Sequence, residues 1–316
     1  MASAIMVAVT GWDPGPWFER FRSFAPDRDI RLWPDQMGDS ADIAYACVWK
    51  PPSELLQELP NLKAIFSLGA GVDHFIGDPT LPDVPIVRIV DPDLTMRMTE
   101  YVVLQVLMIH RRQRMYDAQQ AERRWQDHDQ WPASAVAVGI MGLGVLGRDA
   151  AQVLRRVGFK VAGWSRRPKH VPGIETFHGP DGLDVFLRRS EILVCLLPHT
   201  PATTGILNLS LLRKLKRDGA LGGACLINAG RGALQIDADI IAALDEGSLA
   251  AATLDVFATE PLPVDSPLWT HPNIIITPHN AAESDPRALI AGVLDQIARF
   301  ERGEPLQNVV DRKLGY

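Results

Sequence analysis

Cysteine is scarce: the 316 residues contain only Cys47, Cys195 and Cys225. Each lies in an apolar stretch and no two form a Cys-x-x-Cys pair, so a disulfide framework and a zinc site are excluded. The three read as buried thiols of a reducing compartment. Long apolar runs are also missing, and none approaches the roughly 20 residues of a membrane span. There is no H-E-x-x-H, no Cys/His cluster and no G-x-x-x-x-G-K-[ST], which argues against a metal or a nucleoside triphosphate. An excess of positive charge is absent too; the net charge of -6 is wrong for a general nucleic-acid binder. The opening "MASAIMVAVTGWDPG" lacks a basic segment and its apolar run is short. It is expected to be a first strand and not a signal peptide, which puts the chain in the cytoplasm.

What remains is an ordinary globular composition, 47% hydrophobic and 22% charged, long enough for about two domains. Short apolar runs recur, each followed by a turn and a helical pattern. "AIMVAVT" leads to "PWFERFRSF", "IAYACVW" to "SELLQEL" and "LKAIFSL" to "GAGVDHF". A second series comprises "AVAVGIMG", "KVAGWS", "EILVCLLP", "GGACLINAG", "AATLDVF" and "NIIITPH". This alternation predicts two α/β units, each a parallel sheet covered by helices. The junction is expected near residue 98, with "DPDLTMRM" a loop and "TEYVVLQVLMIHRRQRMYDAQQAERRW" one long helix. The polar second half of that helix would be solvated or grip another subunit.

Gly142, Gly144 and Gly147 stand in the spacing G-x-G-x-x-G, after an apolar run and before a helical one. In a dinucleotide site the first glycine allows the tight turn, the second lets backbone approach a pyrophosphate, and the third lets helix pack on strand. Free N–H groups at the helix start, here Val145 and Leu146, then face the phosphates. The bland alternative is a glycine-rich turn with no ligand. In such folds an acid about 20 residues further on takes the ribose 2′-hydroxyl of NAD. No Asp or Glu lies between Phe159 and Ile174; Ser165, Arg166, Arg167 and Lys169 occupy that space. Arginine pairs with a phosphate through two parallel hydrogen bonds, so NADP(H) is the expected cofactor, with NAD less favoured. A solvated basic turn is the alternative.

Ligands of open α/β sheets bind outside the carboxyl ends of the strands. That rule selects Arg231 after "GACLIN", Asp255 and Glu260 in and after "AATLDVF", and His279 after "NIIIT". An arginine can clamp a carboxylate and polarise a carbonyl. A histidine can give a proton to a nascent alkoxide, and a neighbouring carboxylate fixes its orientation. Each also has a structural alternative: a cap, an acidic loop residue, a satisfied strand-end histidine. In the first unit, backbone N–H groups of Gly69, Ala70 and Gly71 could form an anion nest, and Trp49 could shape a pocket or pack in the core. His199, at another strand end, reads as a loop residue.

The ordered set "GLGVLG", "WSRRPK", "LLPHTPATTGI", "INAGRG", "LDVFATEPLP" and "ITPHNAA" resembles the D-isomer-specific 2-hydroxyacid dehydrogenases, over essentially the whole chain. With "VWKPP", "LGAGVDHF" and "SPLWTHP" it is most similar to their glyoxylate/hydroxypyruvate reductase group. The resemblance implies two doubly wound parallel-sheet domains: a Rossmann dinucleotide-binding domain over 99–282, and a flavodoxin-like substrate domain from 1–98 and 283–316. It implies catalytic roles for Arg231, Glu260 and His279. It implies cofactor contacts at Leu197, Pro198, Thr203, Ala229 and Asp255, and substrate contacts at Trp49 and Gly69–Gly71. It implies a homodimer through the nucleotide domain, with Trp125 of the polar arm near a partner's active site. The stretch "NAAESDPR" after His279 departs from the pattern in being acidic. The reading is an NADPH-dependent reductase of small 2-oxoacids. The rivals are a reductase of bulkier ones such as phenylpyruvate, and a dinucleotide-sensing corepressor on the same fold.

Overall fold

Strands and helices alternate along the chain in a computed structural model that describes residues 3–283 and 285–316. In order they are β1 (Ala4–Val9), α1 (Gly15–Phe24), β2 (Ile30–Leu32), β3 (Ile43–Trp49), β4 (Ala64–Ser67), β5 (Ile86–Val87) and α2 (Pro92–His110). Then follow α3 (Gln113–Ala121), β6 (Ala137–Met141), α4 (Val145–Val157), β7 (Lys160–Ser165), β8 (Glu175–His178) and α5 (Gly179–Leu187). The last are β9 (Ile192–Cys195), α6 (Leu209–Leu212), β10 (Cys225–Asn228), α7 (Asp237–Asp245), β11 (Ala251–Leu254), β12 (Ile274–Ile276) and α8 (Pro286–Glu301). The chain divides into two units, Met1–Leu94 with Ser284–Tyr316, and Thr95–Glu283.

The first unit holds a five-stranded parallel sheet in the order β2-β1-β3-β4-β5. This is the flavodoxin order, whose switch point falls between β1 and β3. β1 is buried along its whole length, as a central strand covered on both faces must be. α8 returns to this unit. Asp285 caps it by accepting the Arg287 amide at 2.8 Å, Pro286 sits at its first turn, and Leu289, Ile290, Val293 and Ile297 enter one core with Phe21, Tyr45 and Phe66. Each such aliphatic side chain contributes up to about 1.5–3 kcal/mol by leaving water.

The second unit holds a seven-stranded parallel sheet in the order β12-β11-β10-β9-β6-β7-β8. Counted from β6 this is the Rossmann order, with its switch point between β6 and β9. α4 buries Gly147, Ala150, Ala151 and Leu154, the i, i+3, i+4, i+7 stripe of an amphipathic helix. It stops at Gly158, whose φ of +112° lets its amide reach back to Leu154 and Arg155 carbonyls.

Four sequence expectations need correcting. The long helix is two helices, because Arg112 takes a left-handed φ of 55° and starts α3 afresh. The predicted loop "DPDLTMRM" is the start of α2. Asp91 accepts the Leu94 amide at 3.0 Å and Pro92 follows it, a capped start that the apolar pattern hides. The segment after Gly71 forms turns in place of a helix, and "SELLQEL" makes only a short 3-10 stretch, Leu55–Glu58. Among the described residues no helix is long and apolar enough to cross a membrane.

Candidate active site and nucleotide turn

The turn between β6 and α4 explains each of its glycines. Gly142 has φ +114°, and a Cβ there would lie 2.7 Å from the Leu196 carbonyl oxygen. A Cβ on Gly147 would lie 1.9 Å from the Gly142 oxygen, so only glycine lets α4 sit this close to the strand. A Cβ on Gly144 would meet nothing within 4 Å. Packing thus requires two of the glycines, while the third lines open space at the start of α4, the place where a pyrophosphate needs close backbone approach. Val145 and Leu146 form the first turn of α4 there.

At the end of β7 the Ser165 hydroxyl donates to the Arg167 carbonyl at 2.8 Å and folds the segment back. Arg166, Arg167 and Lys169 are exposed, and Ser165 is buried. After β9, Leu197 is buried and the Thr203 hydroxyl bonds the Pro198 carbonyl at 2.8 Å, closing a tight loop. His199 meets the Thr204 hydroxyl at 2.9 Å and remains a loop residue.

The ends of β10, β11 and β12 carry the candidate chemistry, and the sheet order sets them side by side. Fully buried Asn228 organises the first. Its amide nitrogen donates to the Arg231 carbonyl at 3.2 Å and to Gln235 at 2.8 Å, while its oxygen accepts the Gly230 amide at 3.1 Å. Buried Ala229 is tied to Cys195 at 3.2 Å. A Cβ on Gly232 would lie 1.8 Å from the Phe257 carbonyl carbon, so the Arg231 loop rests on the loop that carries Glu260. Arg231 is half-buried, and one of its guanidinium nitrogens donates to the Gly230 carbonyl at 2.7 Å.

Glu260 and His279 meet. Glu260 Oε2 lies 2.8 Å from His279 Nδ1, and Oε1 accepts the Phe257 amide at 3.0 Å. The histidine backbone is left-handed, φ 54°, an uncommon state for a residue with a side chain. It is imposed by anchors on both sides. The His279 amide donates to the Asp255 carbonyl at 2.8 Å. The Asp255 carboxylate, 1% exposed, accepts the Thr277 hydroxyl at 2.6 Å and the amides of Asn280 and Ala281 at 3.0 and 3.1 Å. Tyr101 on α2 adds a bond to the Thr277 hydroxyl at 2.8 Å, and burial pushes the tyrosine pKa up. Nothing in the motif pattern flags Tyr101, Asn228 or Thr277. A polar side chain on an apolar helix or at a strand end was their only trace.

In the first unit, a Cβ on Gly69 would lie 2.1 Å from Trp49 Cζ3, so the indole lies directly on that glycine. The Ser67 hydroxyl faces the carbonyls of Gly69 and Gly71 at 3.0 and 2.9 Å. Ala70, between them, is half-buried.

A glycine-lined turn at the switch point of a Rossmann sheet, with a carboxylate–imidazole pair at the ends of two adjacent strands of the same sheet, defines a dinucleotide-binding α/β protein. A family model described as D-isomer specific 2-hydroxyacid dehydrogenase, NAD binding domain, matches residues 103–281. Glyoxylate/hydroxypyruvate reductase A of Photorhabdus laumondii is 42% identical over 311 residues, covering 96% of this chain and 97% of its own. That of Yersinia enterocolitica is 41% identical over 306 residues, covering 95% and 96%. A probable 2-hydroxyacid dehydrogenase from Rhizobium etli, solved with NADP, HEPES and L(+)-tartaric acid, is 49% identical with a TM-score of 0.95 over 99% of this chain and 100% of its own. An NADPH-dependent glyoxylate/hydroxypyruvate reductase from Sinorhizobium meliloti, solved with NADP and sulfate, is 48% identical with a TM-score of 0.94 over the same shares. The chain belongs to the D-isomer-specific 2-hydroxyacid dehydrogenase family.

Proposed function

We propose that this protein is an NADPH-dependent reductase that converts small 2-oxoacids, glyoxylate and hydroxypyruvate foremost, to 2-hydroxyacids. The observation that carries the reading is the Glu260–His279 pair at 2.8 Å, held on the strand ends next to the Arg231 loop. The glycine turn suits NADP(H): Gly142, Gly144, Val145, Leu146 and Gly147 hold the pyrophosphate, and Arg166 and Arg167 share the 2′-phosphate. Leu197, Pro198, Thr203 and Ala229 line the cofactor's path along the strand ends. The bound cofactor supplies the hydride.

For Arg231 the reading is a pairing with the substrate carboxylate that polarises the adjacent carbonyl, and for the amides of Gly69, Ala70 and Gly71 a carboxylate-binding role. Trp49 borders the substrate. With Nδ1 engaged by Glu260, His279 presents Nε2 as the proton donor to the developing alkoxide. The same proton returns to Nε2 in the reverse direction. Two wider features go with this reading: a cytoplasmic location, and a homodimer covering the arm, where Trp125 is fully exposed and Trp131 half-exposed.

The test is a panel of 2-oxoacids assayed with NADPH and NADH. Glyoxylate and hydroxypyruvate are expected to give the highest kcat/KM, with NADPH preferred. A clear NADH preference would remove the phosphate role of Arg166 and Arg167. Absence of oxidation with every acid would favour a dinucleotide sensor.

A further inference from the structure

The flavodoxin-type sheet has its own switch point, between β1 and β3, and two indoles stand at the carboxyl side of those strands. Trp49 is the last residue of β3, and Trp12 lies three positions beyond β1. Their rings stack with centroids 5.0 Å apart and an interplanar angle of 29°. His74, beyond the glycine turn that follows β4, lies with its ring centroid 4.5 Å from Trp49. The strand ends beneath are tied together, since the Thr10 amide donates to the Trp49 carbonyl at 3.1 Å. Three aromatic rings therefore stand at the carboxyl edge of the sheet, where open α/β sheets bind ligands.

The two indoles are held differently. Trp49 is fixed by its contact with Gly69, and its Nε1–H is buried with no acceptor among the described residues. Trp12 is 42% exposed, follows Gly11 at φ +91°, and rests on Trp49 by stacking. Trp12 is thus the outer leaf of a wall whose inner leaf touches the glycine turn.

We propose that Trp12 is a specificity-determining residue: stacked on Trp49, it limits the size of the group attached to the substrate's carbonyl carbon. This rests on the reductase reading, in which Gly69–Gly71 hold the carboxylate. A carboxylate on that turn puts the neighbouring carbon's substituent against Trp49 and Trp12. Hydrogen or hydroxymethyl fits there, whereas benzyl has to displace the outer ring. Trp12 touches no proton or hydride and acts through shape.

The experiment compares kcat/KM for glyoxylate, hydroxypyruvate and phenylpyruvate in the full-length protein and in Trp12→Ala, Trp12→Leu and Trp12→Phe, with Tm measured for each. In Trp12→Ala and Trp12→Leu the ratio of phenylpyruvate to glyoxylate kcat/KM is expected to rise about tenfold or more, the scale on which pocket shape discriminates. Trp12→Phe is expected to retain most of the wild-type ratio. Folded variants in which the ratio stays constant, or in which all three substrates fall together, overturn the proposal while leaving the reductase reading intact. A wild-type protein inactive with every acid and both cofactors overturns both.

Discussion

The carboxylate of Glu260 spans two partners, His279 Nδ1 at 2.8 Å and the Phe257 amide at 3.0 Å. The amide fixes the carboxylate, and the carboxylate fixes the ring. Replacing His279 by Gln removes the proposed proton donor but leaves the nucleotide turn untouched. Turnover is expected to fall by about 10²–10⁴-fold, with NADPH affinity preserved in a fluorescence titration. Near-normal turnover with bound cofactor would refute the acid role. Glu260→Gln keeps a hydrogen-bonding group beside the ring and is expected to cost about 10²-fold, the scale of a misplaced catalytic group.

Gly144 and Gly147 look alike in the motif and should behave oppositely. Gly147→Ala forces a Cβ to 1.9 Å from the Gly142 oxygen, so stability is expected to drop by about 1–3 kcal/mol in urea unfolding. Gly144→Ala meets nothing within 4 Å and should fold with at most about 1 kcal/mol lost at the helix start. Its defect should be in NADPH binding, weakened about tenfold or more, which is ~1.4 kcal/mol. Normal NADPH affinity in Gly144→Ala would argue that no phosphate approaches there.

Asp255 has its carboxylate engaged by Thr277, Asn280 and Ala281. Asp255→Asn turns one acceptor into a donor facing donors, at an expected cost of about 2 kcal/mol or more. As a positioning residue for His279 it should lower kcat about tenfold while changing NADPH affinity little. Loss of NADPH affinity as large as the loss of kcat would show direct cofactor contact to be its main role.

Arg28 and Glu301 form a two-pronged pair, 2.7 and 2.6 Å, linking the segment after α1 to the end of α8. Hydrogen bonding from Arg28 holds the Glu301 carboxyl below its ordinary value. A depressed folded pKa stabilises above the unfolded pKa, near 4.3, and the benefit is lost as pH falls through the folded value. Both side chains are partly exposed, so the pair contributes only about 0.5–1 kcal/mol. The unfolding midpoint of Glu301→Gln should therefore lie below wild type at pH 7, with the gap closing towards pH 3. A gap that widens with acid would contradict the assignment.

Much of this was written in runs and glycines. The six strands listed for the second unit are there because buried parallel strands are apolar on both faces, a signal needing no context. β8 escaped notice because "ETFH" is short and polar at its ends. The break at Arg112 is invisible to periodicity, since arginine favours helices and nothing around it is a glycine or proline. In the site, Arg231, Glu260 and His279 stood out by their place after strands. Asn228, Thr277 and Tyr101 did not, because their work is to satisfy neighbouring backbone or hydroxyl groups, and that is decided only when distant segments meet.

The first unit is built from both chain ends, with α8 supplying Leu289, Ile290, Val293 and Ile297 to a core it shares with β1, β3 and β4. On the ribosome its strands emerge early, and its core is completed last, after the whole contiguous Rossmann unit has been made. Throughout that interval one apolar face of the early sheet has α1 but lacks α8, and is open to misassociation. The length of the nucleotide-binding half, residues 95–283, therefore sets how long the first unit waits for its closing helix.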